Sequence, residues 1–100
     1  MLTITAILRA KDGQGEALLA ALRAVAAQVR AAEPGTLGFF IAQDAEEPLR
    51  FTTYERFADR AAMAAHNGSA AVARFFAAAG PLLDGPVTLL TCEEREAISR

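Results

Sequence analysis

Cysteine, histidine and tyrosine each occur once in this chain of 100 residues, and tryptophan does not occur at all. A single cysteine, Cys92, excludes an internal disulfide, and one histidine leaves no ligand set for a structural zinc site. Cys92 reads as a buried strand residue. No run of 18 apolar residues interrupts the charges, so no segment reads as a membrane span. The start, MLTITAILRAK, has its charge after the apolar run, the reverse of a signal peptide, and the expected location is the cytoplasm. The ten basic residues are scattered, with a net charge of −2, and give no footprint for nucleic acid.

What is present is apolar mass. Fifty-three per cent of the residues are hydrophobic, much of that alanine, which lets helices approach closely but fills little volume. At this length the chain is one domain with a limited core. Spare apolar surface on such a domain argues for an oligomer.

Turn signals divide the chain. Leu2 to Arg9 is rich in β-branched residues and reads as a strand. Asp12-Gly13-Gln14-Gly15-Glu16 makes a turn and a helix start, and Leu18, Leu22, Val25 and Val29 follow at helical spacing, with Arg23 and Arg30 off the stripe. Glu33-Pro34-Gly35 ends that helix. Thr36 to Gln43 and Leu49 to Phe57 read as an antiparallel hairpin. Asp59 caps a short helix through His66, Ser69 caps a second one containing Phe75 and Phe76, and Gly80-Pro81 stops it. Val87 to Cys92 reads as the last strand, giving a domain over residues 1–92 and a charged tail over residues 93–100.

The order βαββαβ predicts an α+β, ferredoxin-like fold: a four-stranded antiparallel sheet with its helices on one face. Strands with apolar residues at both parities, as at Phe39 and Phe40 or Leu89 and Leu90, do not suit a sheet face left in water. The simplest cover is the same face of a second copy, which predicts a homodimer built as a dimeric α+β barrel.

Three segments together resemble a family. Glu33-Pro34-Gly35, the strand Phe51-x-x-Tyr54-Glu55-x-Phe57, and Met63-x-x-His66 followed by Ser69 are similar to the antibiotic biosynthesis monooxygenases, a group of dimeric α+β barrel proteins that includes small quinol monooxygenases. The resemblance spans Leu2 to about Cys92. It implies oxygenation of electron-rich phenols or quinols, small aromatic substrates, with dioxygen as co-substrate and no other cofactor. Direct reaction of triplet dioxygen with a closed-shell substrate is spin-forbidden, so such a site needs a base to form a phenolate, a stabiliser for the anion, and a dry pocket.

His66 is the natural base near neutral pH, and Glu55 is a second candidate catalytic residue of the same pocket group, or else a structural partner of Arg56 or Arg60. Strand alternation places Phe51, Thr53, Glu55 and Phe57 on one face and sends Tyr54 to the other. The resemblance implies that the Phe57 position lines a cavity between sheet and helices, which places the candidate substrate-binding set of Phe40, Phe51, Thr53, Phe57, Phe75 and Phe76 there, with Tyr54 a proton relay or an interface residue. Departures matter too. The family's usual tryptophan is Phe57 here, a second histidine often found after the Ser69 position is replaced by Ala70 and Ala71, and LTITAILR lacks the asparagine of the haem-degrading branch, which argues against haem oxygenation. Two other classes compete with the enzyme: a non-catalytic dimer that binds an aromatic metabolite or serves in stress response, and a purely structural dimerisation module.

Overall fold

The computed structural model describes residues Met1–Arg100. The elements run β1 (Leu2–Arg9), α1 (Gly15–Ala32), β2 (Thr36–Gln43), β3 (Arg50–Phe57), α2 (Arg60–Asn67), α3 (Ala70–Ala79) and β4 (Thr88–Glu93), with a 3₁₀ turn at Gly80–Leu82 between the last two. The four strands form one antiparallel sheet in the order β2-β3-β1-β4. This is the expected ferredoxin-like α+β arrangement, its second helical segment broken in two at Gly68 and Ser69. No helix is long and apolar enough to cross a membrane.

Local chemistry explains the breaks. Asp59 accepts a hydrogen bond from the Ala62 amide at 2.8 Å and Ser69 accepts one from the Val72 amide at 3.2 Å, so both short helices have side-chain N-caps. Gln14 precedes α1 without any side-chain cap. Gly13, with φ of 77°, takes the left-handed conformation that the turn before α1 requires. Leu18, Leu22, Val25 and Val29 form the buried stripe of α1 and pack on Ala6 and Leu8 of β1, Phe51 of β3 and Phe75 of α3.

Alternation holds along β3, where Phe51, Thr53, Glu55 and Phe57 are buried and Tyr54 points the other way. In β2 it is interrupted. The register slips between Thr36 and Gly38, so that Thr36 pairs with Phe57, Gly38 with Arg56 and Phe39 with Glu55. One extra residue in the strand reverses the parity beyond it. Phe39 consequently faces the helices, and Phe40, 58% exposed, lies on the opposite face beside Tyr54. Phe40 is thereby removed from the substrate-binding set.

β4 is an edge strand whose six residues are all exposed. Cys92 is therefore exposed rather than buried. The tail is anchored where it begins: the Glu94 amide donates to the Met1 carbonyl at 2.9 Å, and the Glu94 carboxylate accepts from both Arg56 and Tyr54.

The turn after α1 packs directly on α2. A Cβ built on Gly35 would lie 2.8 Å from the Ala62 Cβ, closer than packed carbons tolerate. Glycine at position 35 thus sets the distance between the end of α1 and the helix that bears His66. Gly35→Ala should push these apart and cost about 1–3 kcal/mol, as overpacking does. Urea unfolding should show a lower midpoint with an unchanged slope.

Candidate functional site

α2 is eight residues long, and His66 is its one buried side chain, 4% exposed. Both ring nitrogens are engaged by carboxylates. Nδ1 lies 2.7 Å from Glu33 Oε1, and Nε2 lies 3.1 Å from Glu55 Oε1. Glu33 comes from the C-cap of α1 and Glu55 from β3, so the contact ties three elements together. Two hydroxyls fix the carboxylates: Thr36 donates to Glu33 Oε1 at 3.0 Å and Thr53 donates to Glu55 Oε2 at 2.7 Å. The rings of Phe57 and Phe39 pack on the imidazole, with centroids at 5.4 and 5.8 Å.

Burial works against a charged imidazole, but the hydrogen bonds and negative charges of Glu55 and Glu33 outweigh it. The net result raises the His66 pKa above its ordinary 6.5. No arginine or lysine forms an ion pair with either carboxylate. A protonated ring can donate from both nitrogens, the state that two flanking carboxylates favour. Because the carboxylates sit on different ring nitrogens, they do not converge, and no group of three or more His, Cys, Asp or Glu side chains is placed to hold a metal ion.

Next to this chain lies a cavity of about 280 Å³ between the sheet and the helices. Its size falls near the lower end of the roughly 300–1,000 Å³ typical of small-molecule sites. The space exists because the central strands carry small residues there: Ala6 of β1 stands opposite Thr53 of β3. Leu22 and Val25 of α1, together with Phe39, supply apolar walls. Phe75 and Phe76 of α3, stacked edge to face at 5.3 Å, lie across from Leu89 of β4. Phe76 and Leu89 are 46% and 56% exposed, which puts the mouth between α3 and β4. Polar atoms come from Glu55, His66, Thr53, Asn67 and Thr91.

The residues expected from sequence divide accordingly. His66, Glu55, Thr53, Phe75 and Phe76 line the cavity. Phe51 and Phe57 are fully buried but stand outside its lining, Phe51 in the apolar core and Phe57 against the His66 ring. Tyr54 lies across the sheet, where its hydroxyl donates to Glu94; that hydrogen bond, with burial and the Glu94 charge, raises its pKa above 10.0. The sheet separates it from His66, so it is no proton relay for this cavity.

Other contributors were not singled out from the sequence, among them Phe39, hidden by the bulge, and the polar Asn67 and Thr91. Glu33 left a usable signal: a carboxylate at a helix C-terminus opposes the helix dipole and calls for a cationic partner.

The sequence matches the family model described as antibiotic biosynthesis monooxygenase over residues 1–78. Among curated proteins no significant match is found. Several solved structures are similar over nearly their whole length. PA3566 from Pseudomonas aeruginosa is 32% identical, with 95% of this chain and 94% of that one aligned at a TM-score of 0.85. A protein of Nitrosomonas europaea provisionally described as an antibiotic biosynthesis monooxygenase is 26% identical, with 96% and 100% aligned at 0.86. Rv0793 from Mycobacterium tuberculosis is 26% identical, with 98% of each chain aligned at 0.88. With more than three quarters of its length matched by the family model, the chain belongs to the antibiotic biosynthesis monooxygenase family.

Proposed function

We propose that this protein is a monooxygenase that oxidises electron-rich phenols or quinols with dioxygen, the substrate itself supplying the electrons and no further cofactor taking part. The observation behind this reading is an apolar cavity with a buried carboxylate and imidazolium in its wall. Family membership supports the reaction class.

The geometry changes the expected division of labour. Both nitrogens of His66 are already held, so the acceptor that meets a phenolic hydrogen is the Glu55 carboxylate, with His66 behind it. A phenol in the cavity gives its proton to this group. The phenolate then passes one electron to dioxygen, and the resulting superoxide and phenoxyl radical combine at a ring carbon. Cleavage of the O–O bond with loss of the ring hydrogen leaves a quinone and one water. For 1-naphthol the balance is one phenol plus one dioxygen giving one naphthoquinone plus one water. The apolar walls protect the phenolate and the radical pair from bulk water.

With 1-naphthol and labelled dioxygen, uptake should exceed autoxidation and one labelled atom should enter the quinone. Glu55→Gln and His66→Ala should each lower that rate by roughly 10²–10⁴-fold. Tight naphthol binding without excess uptake would assign the fold to aromatic binding alone, and absence of both would leave a structural module.

The pH dependence has a definite sign. As pH rises through the His66 pKa, which lies above 6.5, the imidazolium is lost and two buried carboxylates face the forming phenolate without compensation. kcat/KM should therefore fall as pH rises through that value. Stability should fall in the same direction. A histidine with a raised folded-state pKa contributes fully below about 6.5 and loses that contribution as pH climbs through the folded-state value. Urea midpoints across this range should fall in the wild type and stay flatter in His66→Ala.

The sheet face away from the helices supports a second proposal, a homodimer. Phe40, Leu90, Ile7 and Tyr54 are 58%, 50%, 38% and 37% exposed there, whereas a solvated sheet face alternates towards polar residues. A second copy applied by a two-fold axis covers both faces at once. The cytoplasm suits a chain with one free, exposed thiol and no disulfide. Light scattering at micromolar concentration should give the mass of two chains, and Phe40→Glu should move it towards one.

A further inference from the structure

We infer that Glu33 is what makes the buried group a base: it adds a second negative charge behind His66, which leaves Glu55 uncompensated and able to take the proton that the substrate gives up. This rests on the oxygenase reading of the cavity but concerns a residue that does not line it.

A protonated histidine facing a single carboxylate is a neutral ion pair, and a neutral buried pair has little reason to accept another proton. Here the ring faces two. Glu33 and Glu55 bracket His66 at 2.7 and 3.1 Å, so the group with its imidazolium bears a net charge of −1. The groups that face it are few. Thr36 of β2 and Thr53 of β3 donate hydroxyl protons, the Phe39 and Phe57 rings cover the imidazole, and no lysine or arginine pairs with either acid. An uncompensated negative charge in such surroundings is relieved by taking one proton.

The step that relieves it is short. The phenolic O–H bond breaks and its proton goes to Glu55, whose side chain lines the cavity. The imidazolium already carries a proton on each nitrogen and keeps both, paired with Glu33 at 2.7 Å, so the cluster goes from a net charge of −1 to neutral as the substrate becomes a phenolate. Glu33 thus acts through His66, as a positioning residue.

The test uses p-nitrophenol, whose phenolate absorbs at longer wavelength than its phenol, so ionisation is read without turnover. The wild-type protein should bind it with the phenolate band enhanced over free nitrophenol at the same pH. Calorimetry in two buffers of different ionisation enthalpy should show no proton released, because the cluster keeps it. Glu33→Gln should lower the ratio of bound phenolate to bound phenol by about tenfold or more, one pK unit, with unchanged affinity for p-nitroanisole, which has no proton to give. Glu33→Asp should restore part of the band. An unchanged ratio in Glu33→Gln would overturn the role of Glu33 alone, while failure of the wild type to bind either compound would overturn the cavity reading with it. Should Glu33→Gln not fold, the wild-type calorimetry still decides: a phenolate band accompanied by stoichiometric proton release would show that the cluster does not keep the proton.

Discussion

The contact of His66 with Glu33 and Glu55 is the constraint around which the site is arranged. It joins the end of α1, the end of α2 and the middle of β3, elements distant in sequence, through hydrogen bonds to one ring. α2 is too short to be stable alone. Its place is fixed by the Asp59 cap at one end, by His66 at the other, and by Ala62 against Gly35 between them. The Glu-Pro-Gly turn is thus a docking device. Proline ends the helix, glycine allows α2 to approach, and glutamate reaches across to the ring.

Much of this was legible in the sequence, for reasons that differ by element. β1 and β2 have the bounds that residue type and turn signals gave, because Asp12-Gly13 and Glu33-Pro34-Gly35 punctuate the chain unambiguously. Alternation along β3 correctly set Glu55 apart from Tyr54. The same rule fails in β2, since a bulge is a property of pairing with the neighbouring strand, and the lone Gly38 in TLGFF is only a weak mark of it. Long-range partnership was equally hidden. Glu33 and Glu55 are 22 positions apart, and nothing local says that one imidazole serves both.

The two faces of the sheet carry different chemistry. The helix side holds the cavity and the buried acids. Across the sheet, Arg56 and Tyr54 both donate to Glu94, an arrangement that raises the tyrosine pKa through its hydrogen bond to the glutamate and lowers that of the glutamate through the hydrogen bonds from Arg56 and Tyr54. The first residue beyond β4 is therefore drawn over the end of the open face. Partner burial of Phe40 and Leu90 would leave this polar group at the margin, as the apolar centre and polar rim of an interface require.

A buried cluster of one imidazolium and two carboxylates is a poor way to stabilise a small domain. Desolvation takes back much of what the ion pairs return, and apolar residues of similar volume often do as well or better. The fold has the means to do so: Phe57, Phe39 and Phe75 already surround the site with good packing groups, and α1 and β1 supply a separate core around Leu18 and Phe51. What apolar replacements cannot provide is a charged, hydrogen-bonding wall for the cavity. The presence of that cluster beside space left by Ala6 and Thr53 is a local sacrifice of stability, and such sacrifices concentrate where a protein does its chemistry.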